Sequence, residues 1–387
     1  MTKKISILGS TGSIGKNTLK VVDALKPEFE VFAITAHNNV ELLAEQIKRF
    51  KPAYASITNG EHYDKLVELA GGEGVELLCG ERSLVELACD ERVDTVVTAV
   101  VGAAGLPAVL AGAKEGKDLA IANKEPLVIA GELLQKAARE NGATILPIDS
   151  EHSAIFQALQ AGSIDEVEQM ILTGSGGPFR KASKEDLENV TLEQALAHPV
   201  WAMGPKITID SATMMNKALE VIEARWLFGI EAEKIRVLIH PQSIVHSMVE
   251  FVDGSVVAQL GTPDMCLPIQ YALTYPQRKE GACEHLDFKK LNTLSFEEPD
   301  FEKFPTLRIG FEIARTTGTA AVVFNAANEM AVELFLNGSI RFLNIFDLIQ
   351  HCLDKHAVEK VESLEQLLEI DNWARREVNK CLTEKVW

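Results

Sequence analysis

Acidic side chains near residue 150 have the type and spacing of a metal site. Asp149 and Glu151 follow the apolar run 145–148, and both carboxylates point the same way if that run continues as an extended strand. Paired carboxylates repel each other unless a cation lies between them, and oxygen ligands favour Mg²⁺ or Mn²⁺ over Zn²⁺. Acidic pairs are also common at strand ends and helix N-caps, so this pair alone leaves both interpretations open.

A second polar group lies on a predicted helix further along the chain. Asn216 and Glu220 are four residues apart and therefore share one helix face, with Lys217 beside them. On a solvated helix such a trio is an ordinary surface ion pair. Met214 and Met215 precede it, however, and predict a buried segment, in which polar groups must find partners such as a metal ion or a phosphate.

The N-terminal residues predict an element that binds a nucleotide. A strand-like run, KISIL, is followed by GSTGSIG at 9–15 and then by a helical pattern. Such a turn aims the N–H groups of the helix N-terminus at an anion, and the helix dipole also favours negative charge there. The spacing is GxxGxxG rather than GxGxxG, so a plain strand-to-helix turn is the alternative.

A second strand, predicted over 31–35, ends just before His37, Asn38 and Asn39. NAD-specific enzymes usually carry an acid at this position, whereas a neutral or basic residue leaves room for a 2′-phosphate. We therefore expect NADPH, with these three side chains near the adenosine ribose. The alternative for His37 is an ordinary loop position. The predicted sheet is mostly parallel and is completed by strands over 54–57, 94–101 and 119–122.

Glycine- and proline-rich segments at 173–180 and 197–206 predict a mobile flap. We expect Trp201 and Met203 to cover a bound ligand and to exclude water, which strengthens electrostatic interactions inside a site. The alternative is an ordinary loop with a core tryptophan.

Length and periodicity predict four parts. The 387 residues exceed what one hydrophobic core normally holds. We predict an α/β protein with an N-terminal Rossmann-like doubly wound domain, followed by an α+β catalytic domain that carries the metal site and the flap. A linker then leads to a small α-helical C-terminal domain. The predicted boundaries are 1–149, 150–274, 275–305 and 306–387.

Composition bears on partners and location. The formal charge of −18 repels nucleic acid and anionic membranes, so we expect neither as a partner. The six cysteines have no CxxC spacing, which argues against a disulfide framework and a zinc site. The sequence shows neither a long uninterrupted apolar stretch nor a cleavable signal, so we expect a cytoplasmic protein.

Motifs typical of one known family occur in order along nearly the whole chain: GSTGSIG, ANKE, LPIDSEHSAIFQ, LTGSGGPF, HPVWAMGPKITIDSATMMNKALEVIEA, IHPQSIVHSMVEF and NAANE. Together they resemble the 1-deoxy-D-xylulose 5-phosphate reductoisomerase family, and DSEHSAIFQ with SATMMNK is a highly specific pair. The resemblance implies a homodimeric enzyme of non-mevalonate isoprenoid precursor biosynthesis, with its dimer interface in the domain at 150–274. Such an enzyme uses NADPH to rearrange and reduce 1-deoxy-D-xylulose 5-phosphate, a phosphosugar, to 2-C-methyl-D-erythritol 4-phosphate.

The resemblance also implies roles for individual residues. The divalent ion would be held by Asp149, Glu151 and Glu220. Lys124 and Ser150 would meet the carbonyl or hydroxyl end of the substrate, and Lys124 would assist proton transfer or polarise an oxygen. The substrate phosphate would be bound by Ser175, Ser211, Asn216 and Lys217, with His198 closing over it. The NADPH site would be lined by Thr11, Gly12, Ser13, Ile14, Asn39, Asn123, Glu125 and Gly204.

Two positions depart from the pattern of this family. Many relatives have glycine and then a basic or small residue where this chain has His37-Asn38, which bears on the preference for NADPH over NADH. Pro205 stands where a polar residue is frequent, which bears on the flap. Two other functions stay open: a metal-independent NADP-dependent dehydrogenase of another phosphorylated sugar, and a non-catalytic nucleotide-binding relative.

Overall fold

The computed structural model describes residues 2–72, 74–201 and 203–384. The chain forms two compact units. The first contains residues 1–126, 134–153 and 264–284, and the second contains residues 127–133, 154–263 and 285–387.

The first unit is built on one parallel sheet. Its strands are β1 (Lys3–Leu8), β2 (Phe29–Ala36), β3 (Tyr54–Ile57), β4 (Glu76–Cys79), β5 (Thr95–Thr98), β6 (Asp118–Ile121) and β7 (Thr144–Pro147). Seven strands lie in the order β4-β3-β2-β1-β5-β6-β7, and every neighbouring pair is parallel. The order reverses between β1 and β5, and open sheets of this kind bind ligands at the carboxyl ends of strands beside such a reversal.

Helices connect these strands. They are α1 (Ser13–Ala24), α2 (Val40–Phe50), α3 (Tyr63–Ala70), α4 (Arg82–Cys89), α5 (Leu106–Lys114) and α6 (Glu125–Asn141), and α7 (Ser150–Ala158) follows β7. Ile5, Ile7, Val96 and Val97 are fully buried, because a parallel sheet covered by helices has two apolar faces. The predicted Rossmann-like doubly wound sheet is confirmed. The strand predicted over 94–101 is shorter in the structure.

The second unit contains a mixed sheet. Its strands are β8 (Val167–Gly174), β9 (Ile235–Ile239), β10 (Val245–Phe251) and β11 (Val256–Leu260). They lie in the order β11-β10-β8-β9, with β8 and β9 parallel and the other pairs antiparallel. Strand β11 is an edge strand, and Val256 at its start is exposed.

The remaining helices are α8 (Lys184–Leu187), α9 (Leu192–Leu196), α10 (Pro205–Ala212), α11 (Met215–Leu227), α12 (Cys266–Thr274), α13 (Pro305–Thr316), α14 (Ala320–Leu336), α15 (Asn344–Lys355) and α16 (Leu364–Glu384). Helix α12 belongs to the first unit, and the others belong to the second. The predicted C-terminal helices are confirmed up to residue 384, and residues 385–387 lie outside the described part. Among the described helices we found none with an apolar stretch long enough to cross a membrane.

Candidate active site

The glycine turn after β1 is held close to the neighbouring strands. Gly9 has a φ of +90°, and a Cβ at this position would lie 2.6 Å from the carbonyl oxygen of Ala99. The Gly9 N–H donates to Thr35 Oγ1 at 2.9 Å, which ties the turn to β2. Helix α1 then begins at Ser13 after Gly12, and no side chain caps its first N–H groups. This is the geometry with which a helix N-terminus binds an anion.

We predict that Gly9→Ala destabilises the fold and weakens dinucleotide binding. An alanine at this φ is strained, and its methyl group clashes with a backbone oxygen. The free energy of unfolding should therefore fall by about 3 kcal/mol or more in chemical denaturation. Gly72→Ala is the matched control, because Gly72 has a φ of +94° but nothing within 4 Å of its Cβ position. The control should lose only about 1 kcal/mol. Equal losses in the two variants would contradict the close approach at Gly9.

The loop after β2 presents the three residues predicted near the adenosine ribose. His37, Asn38 and Asn39 are exposed. The ring of His37 hydrogen-bonds through Nδ1 to Thr58 Oγ1 at 2.8 Å, and Asn39 caps α2 by accepting from the Leu42 N–H at 3.2 Å. The loop contains no acid, which leaves the position open to a phosphate. Hydrogen bonding of His37 favours an ordered orientation of its ring.

The loop after β6 carries Asn123, Lys124 and Glu125. Thr98 Oγ1 at the end of β5 donates to Asn123 Oδ1 at 3.0 Å. The Nδ2 atom of Asn123 is buried and makes no hydrogen bond to any described residue. A buried amide N–H group requires an acceptor, so Asn123 is a candidate to donate to a polar ligand group at the ends of β5 and β6.

Asp149 forms the N-cap of α7. Its Oδ1 accepts the backbone N–H groups of Glu151 at 3.1 Å and His152 at 3.2 Å, and its Oδ2 accepts a hydrogen bond from Lys124 Nζ. Burial raises the pKa of Asp149, but the Lys124 ammonium and the His152 ring outweigh burial and hold that pKa well below its ordinary value. Asp149 is therefore a buried carboxylate that stays ionised. Its Lys124 partner is only 7% exposed.

The predicted strand through 149–151 is wrong. Strand β7 ends at Pro147 and α7 starts at Ser150, so Glu151 lies in the first helical turn. The Asp149 carboxylate satisfies two N–H groups of a helix start, which an extended backbone would not offer to it, and Lys124 from the loop after β6 holds that carboxylate in place. Ser150 Oγ donates to Glu151 Oε2 at 2.5 Å. Both carboxylates still lie at the carboxyl end of the sheet.

In the second unit, Glu220 joins two other polar residues of α11. Asn216 Nδ2 donates to Glu220 Oε1 and Lys217 Nζ donates to Glu220 Oε2, each at 2.5 Å. Glu220 is fully buried, and Lys217 is only 4% exposed. The shared face predicted for these residues is confirmed, and so is the burial of Met214 and Met215.

The glycine-rich loop after β8 brings Ser175 toward the same cluster. A Cβ at Gly174 would lie 2.8 Å from Lys217 Cε, and one at Gly177 would lie 2.5 Å from the carbonyl oxygen of Ser211. The loop that holds Ser175 therefore packs against Lys217 on one side and against the end of α10 on the other. The structure places all four predicted phosphate ligands in the second unit.

His198 contacts this loop through a defined tautomer. Its Nδ1 accepts the backbone N–H groups of Val200 at 3.2 Å and Trp201 at 2.9 Å, so the neutral ring carries its proton on Nε2. Nε2 lies 3.1 Å from Ser175 Oγ, to which it donates. Burial lowers the pKa of His198, which favours the neutral ring.

We predict that the pKa of His198, measured by NMR titration, lies below the ordinary value of about 6.5. Above that pH the His198 ring is neutral in both the folded and the unfolded chain, so its protonation does not change the free energy of unfolding there. As the pH falls below about 6.5, the unfolded chain takes up the proton first and stability declines toward the folded pKa. Chemical denaturation should therefore show a larger loss on acidification for the parent than for His198→Asn. A pKa at or above the ordinary value would contradict the buried neutral ring.

Helix α10 links the flap segment to Ser211. It starts after Gly204 at Pro205, and its buried Asp210 pairs with Lys206 Nζ at 2.8 Å. Asn328 Nδ2, from the NAANE motif on α14, donates to Asp210 Oδ1 at 2.9 Å. The motif thus anchors the helix that ends at the predicted phosphate site.

Two histidines near these groups were not predicted as site residues. His152 is fully buried, and its Nδ1 lies 3.2 Å from Asp149 Oδ1. The ring of His246 on β10 lies 6.4 Å, between centroids, from the ring of Trp201. His152 has a sequence signal, since it follows Asp149 by three residues at a helix start. His246 lies far along the chain from Trp201, so only the fold pairs them.

Related proteins match nearly the whole chain. The 1-deoxy-D-xylulose 5-phosphate reductoisomerase of Chlorobium chlorochromatii is 52% identical over 96% of this chain and 98% of that protein. A solved reductoisomerase from Zymomonas mobilis in complex with NADPH has 44% identity and a TM-score of 0.92, covering 99% of each chain. Another, in complex with NADPH, fosmidomycin and magnesium, has 41% identity and a TM-score of 0.94, covering 98% of each chain.

The doubly wound sheet, its glycine turn and the ionised groups at its carboxyl edge define a dinucleotide-dependent enzyme. Three family models follow one another along the chain. They are described as 1-deoxy-D-xylulose 5-phosphate reductoisomerase at residues 5–131, the C-terminal domain of the same enzyme at 145–228, and the DXP reductoisomerase C-terminal domain at 260–377. The chain belongs to the 1-deoxy-D-xylulose 5-phosphate reductoisomerase family.

Proposed function

We propose that the chain uses NADPH and a divalent cation to convert 1-deoxy-D-xylulose 5-phosphate into 2-C-methyl-D-erythritol 4-phosphate. The observation that carries this proposal is the 52% identity over 96% of the chain to a relative named for that substrate. The ionised Asp149 and the buried Glu220 cluster supply the two kinds of group that the reaction needs. Asp149 would hold the cation that stabilises a developing negative charge, and the donors Asn216 and Lys217 beside Glu220 would anchor a phosphate.

The first unit fits NADPH. The turn at Thr11, Gly12, Ser13 and Ile14 offers helix N–H groups to the pyrophosphate, and the loop at His37 to Asn39 lacks the acid that would repel a 2′-phosphate. The buried Nδ2 of Asn123 requires an acceptor such as an amide oxygen of the nicotinamide. We assign Glu125 and Gly204 to the same site.

The acidic residues fit Mg²⁺. Asp149, Glu151 and Glu220 are oxygen donors, and the lowered pKa of Asp149 supports this assignment, since an ionised carboxylate has no proton for a cation to displace. We propose these three residues as the ligands. A hard cation bound there supplies Lewis acidity for the carbonyl and the neighbouring hydroxyl of the ketose.

The side chains of this protein then perform separate tasks. Lys124, which is hydrogen-bonded to Asp149, lies at the oxygen end of the substrate with the Ser150 hydroxyl, where it assists proton transfer or polarises an oxygen. The substrate phosphate is bound by Ser175, Ser211, Asn216 and Lys217. The neutral His198 donates from Nε2 toward Ser175 or the phosphate. Trp201 and Met203 cover the substrate and exclude water, which protects a reactive intermediate until hydride transfer.

We further propose a cytoplasmic homodimer. All six cysteines are free thiols, as expected for a reducing compartment. The exposed edge strand β11 offers unpaired backbone groups and an apolar Val256 for association with a second copy. Sedimentation velocity tests the dimer, and Val256→Lys should shift it toward monomer.

One assay tests cofactor, metal and substrate together. Purified protein is mixed with NADPH and 1-deoxy-D-xylulose 5-phosphate, either with EDTA or with added Mg²⁺. Oxidation of NADPH is followed by its absorbance at about 340 nm, where reduced nicotinamide absorbs. We expect turnover only with the cation, and NADH to be a poorer cofactor. Turnover that persists in EDTA would indicate the metal-independent dehydrogenase instead. NADPH binding without turnover under either condition would indicate the non-catalytic relative.

A further inference from the structure

A second group of side chains of the types that bind metal ions lies between α15 and α16. His351 projects from α15, and Glu377 and Cys381 are one helical turn apart on α16. One ligand atom from each residue lies within 4.8 Å of the other two. The proposed function assigns no role to any of them.

The chemistry of this trio differs from that of the carboxylates proposed for Mg²⁺. Imidazole, thiolate and carboxylate together suit Zn²⁺, whereas Mg²⁺ is bound by oxygen alone. Around a tetrahedral zinc ion, ligand atoms lie about 3.3–3.6 Å apart. His351 Nε2 and Glu377 Oε1 already lie 3.2 Å apart. Cys381 Sγ reaches the same separation with a shift of about 1 Å.

Of these three residues, Cys381 is buried in the protein core, whereas His351 and Glu377 are partly exposed to solvent. Cys381 is 1% exposed and belongs to the main hydrophobic cluster of the second unit, together with Ala374 and Val378 of α16. The side chains of His351 and Glu377 are 19% and 11% exposed. The inner ligand is therefore held by packing, and the outer two are open enough to admit an ion and a water molecule.

A lysine is the competitor for this position. Lys355 Nζ lies 2.6 Å from Glu377 Oε1, and the lysine side chain is 44% exposed. Ion pairs at that exposure are weak and contribute much less to stability than a structural zinc ion does. Lys355 can move into solvent without leaving a buried charge behind.

We propose that His351, Glu377 and Cys381 bind a Zn²⁺-class cation that fastens α16 to α15, with water as the fourth ligand. Binding requires both helices in place, so the ion stabilises the folded chain and not the unfolded one. The site is distinct from the proposed Mg²⁺ site in both its residues and its ligand chemistry, and it does not depend on the proposed reaction.

Cobalt titration of the full chain tests the proposal, with reduced protein freed of metal beforehand. Co²⁺ bound to a thiolate absorbs strongly in the near ultraviolet, whereas Co²⁺ bound only to carboxylates does not, so the two sites are distinguishable. We expect such a band that saturates at one equivalent and is removed by Zn²⁺. Zn²⁺ alone should raise the Tm of the parent.

Four variants sharpen the test. Cys381→Ser should abolish the band, whereas Cys352→Ser, which changes a neighbouring buried thiol, should keep it. Lys355→Met removes the competitor and should tighten Co²⁺ binding several-fold. Circular dichroism checks folding, and His351→Gln replaces Cys381→Ser as the loss variant if the serine protein is unfolded. No thiolate band with excess Co²⁺, or a band that survives both loss variants, would overturn the proposal.

Discussion

Replacing Glu220 by glutamine is expected to lower kcat by about 10³-fold or more, because the reaction then loses roughly 4 kcal/mol of charge stabilisation. Glu220 is fully buried and accepts hydrogen bonds from Asn216 and Lys217. Glutamine has the same size and keeps one acceptor oxygen. It lacks the negative charge that a divalent cation and the Lys217 ammonium both require.

Two measurements and a control variant separate the expected loss of chemistry from a loss of structure. NADPH binding by fluorescence should change little, since the proposed dinucleotide ligands lie almost entirely in the first unit. The Tm should fall, because a buried lysine has lost its carboxylate partner. The matched control is Glu231→Gln, an exposed acid beyond the end of α11, which should keep full activity. A Glu220→Gln protein that binds NADPH and turns over normally would exclude Glu220 as a ligand.

Replacing Asp149 by asparagine is expected to lower kcat by a similar factor of about 10³, with an added loss of stability. Asp149 is buried and ionised, and it pairs with the buried Lys124. Removing one partner leaves an uncompensated ammonium, which destabilises a fold by about 3–5 kcal/mol. The Mg²⁺ concentration that gives half-maximal activity should also rise, and this rise would not follow from instability alone.

The readouts are a Mg²⁺ titration of activity and chemical denaturation in the same buffer. Asp165→Asn changes an exposed acid and is the control for each. A variant that loses stability but keeps the Mg²⁺ dependence of the parent would restrict Asp149 to an N-cap and ion-pair role. The helix N-cap, which the sequence left open as an alternative, would then account for Asp149 without a metal ion.

Sequence alone determined the elements whose signals are local. The run KISIL and the glycines after it predict a strand, a turn and a helix, and the structure has β1, the turn at Gly9 and α1. The apolar runs of the parallel strands are buried on both faces, so their composition identified them without knowledge of their neighbours. The group formed by Asn216, Lys217 and Glu220 on α11 also has a local signal, since residues four apart on a helix share a face in any fold.

Only the tertiary structure decided how distant or competing groups are used. The chain at 148–151 can continue a strand or start a helix, and the choice follows from the Asp149 carboxylate, which binds two backbone N–H groups and is itself held by Lys124. Ser175 and His198 meet because the loop after β8 packs beside α9 and α10. Likewise Cys381 stands next to His351 only because α15 and α16 pack together. Sequence spacing carries no information about such pairs, because their contact depends on the burial of whole helix faces and not on the residues between them.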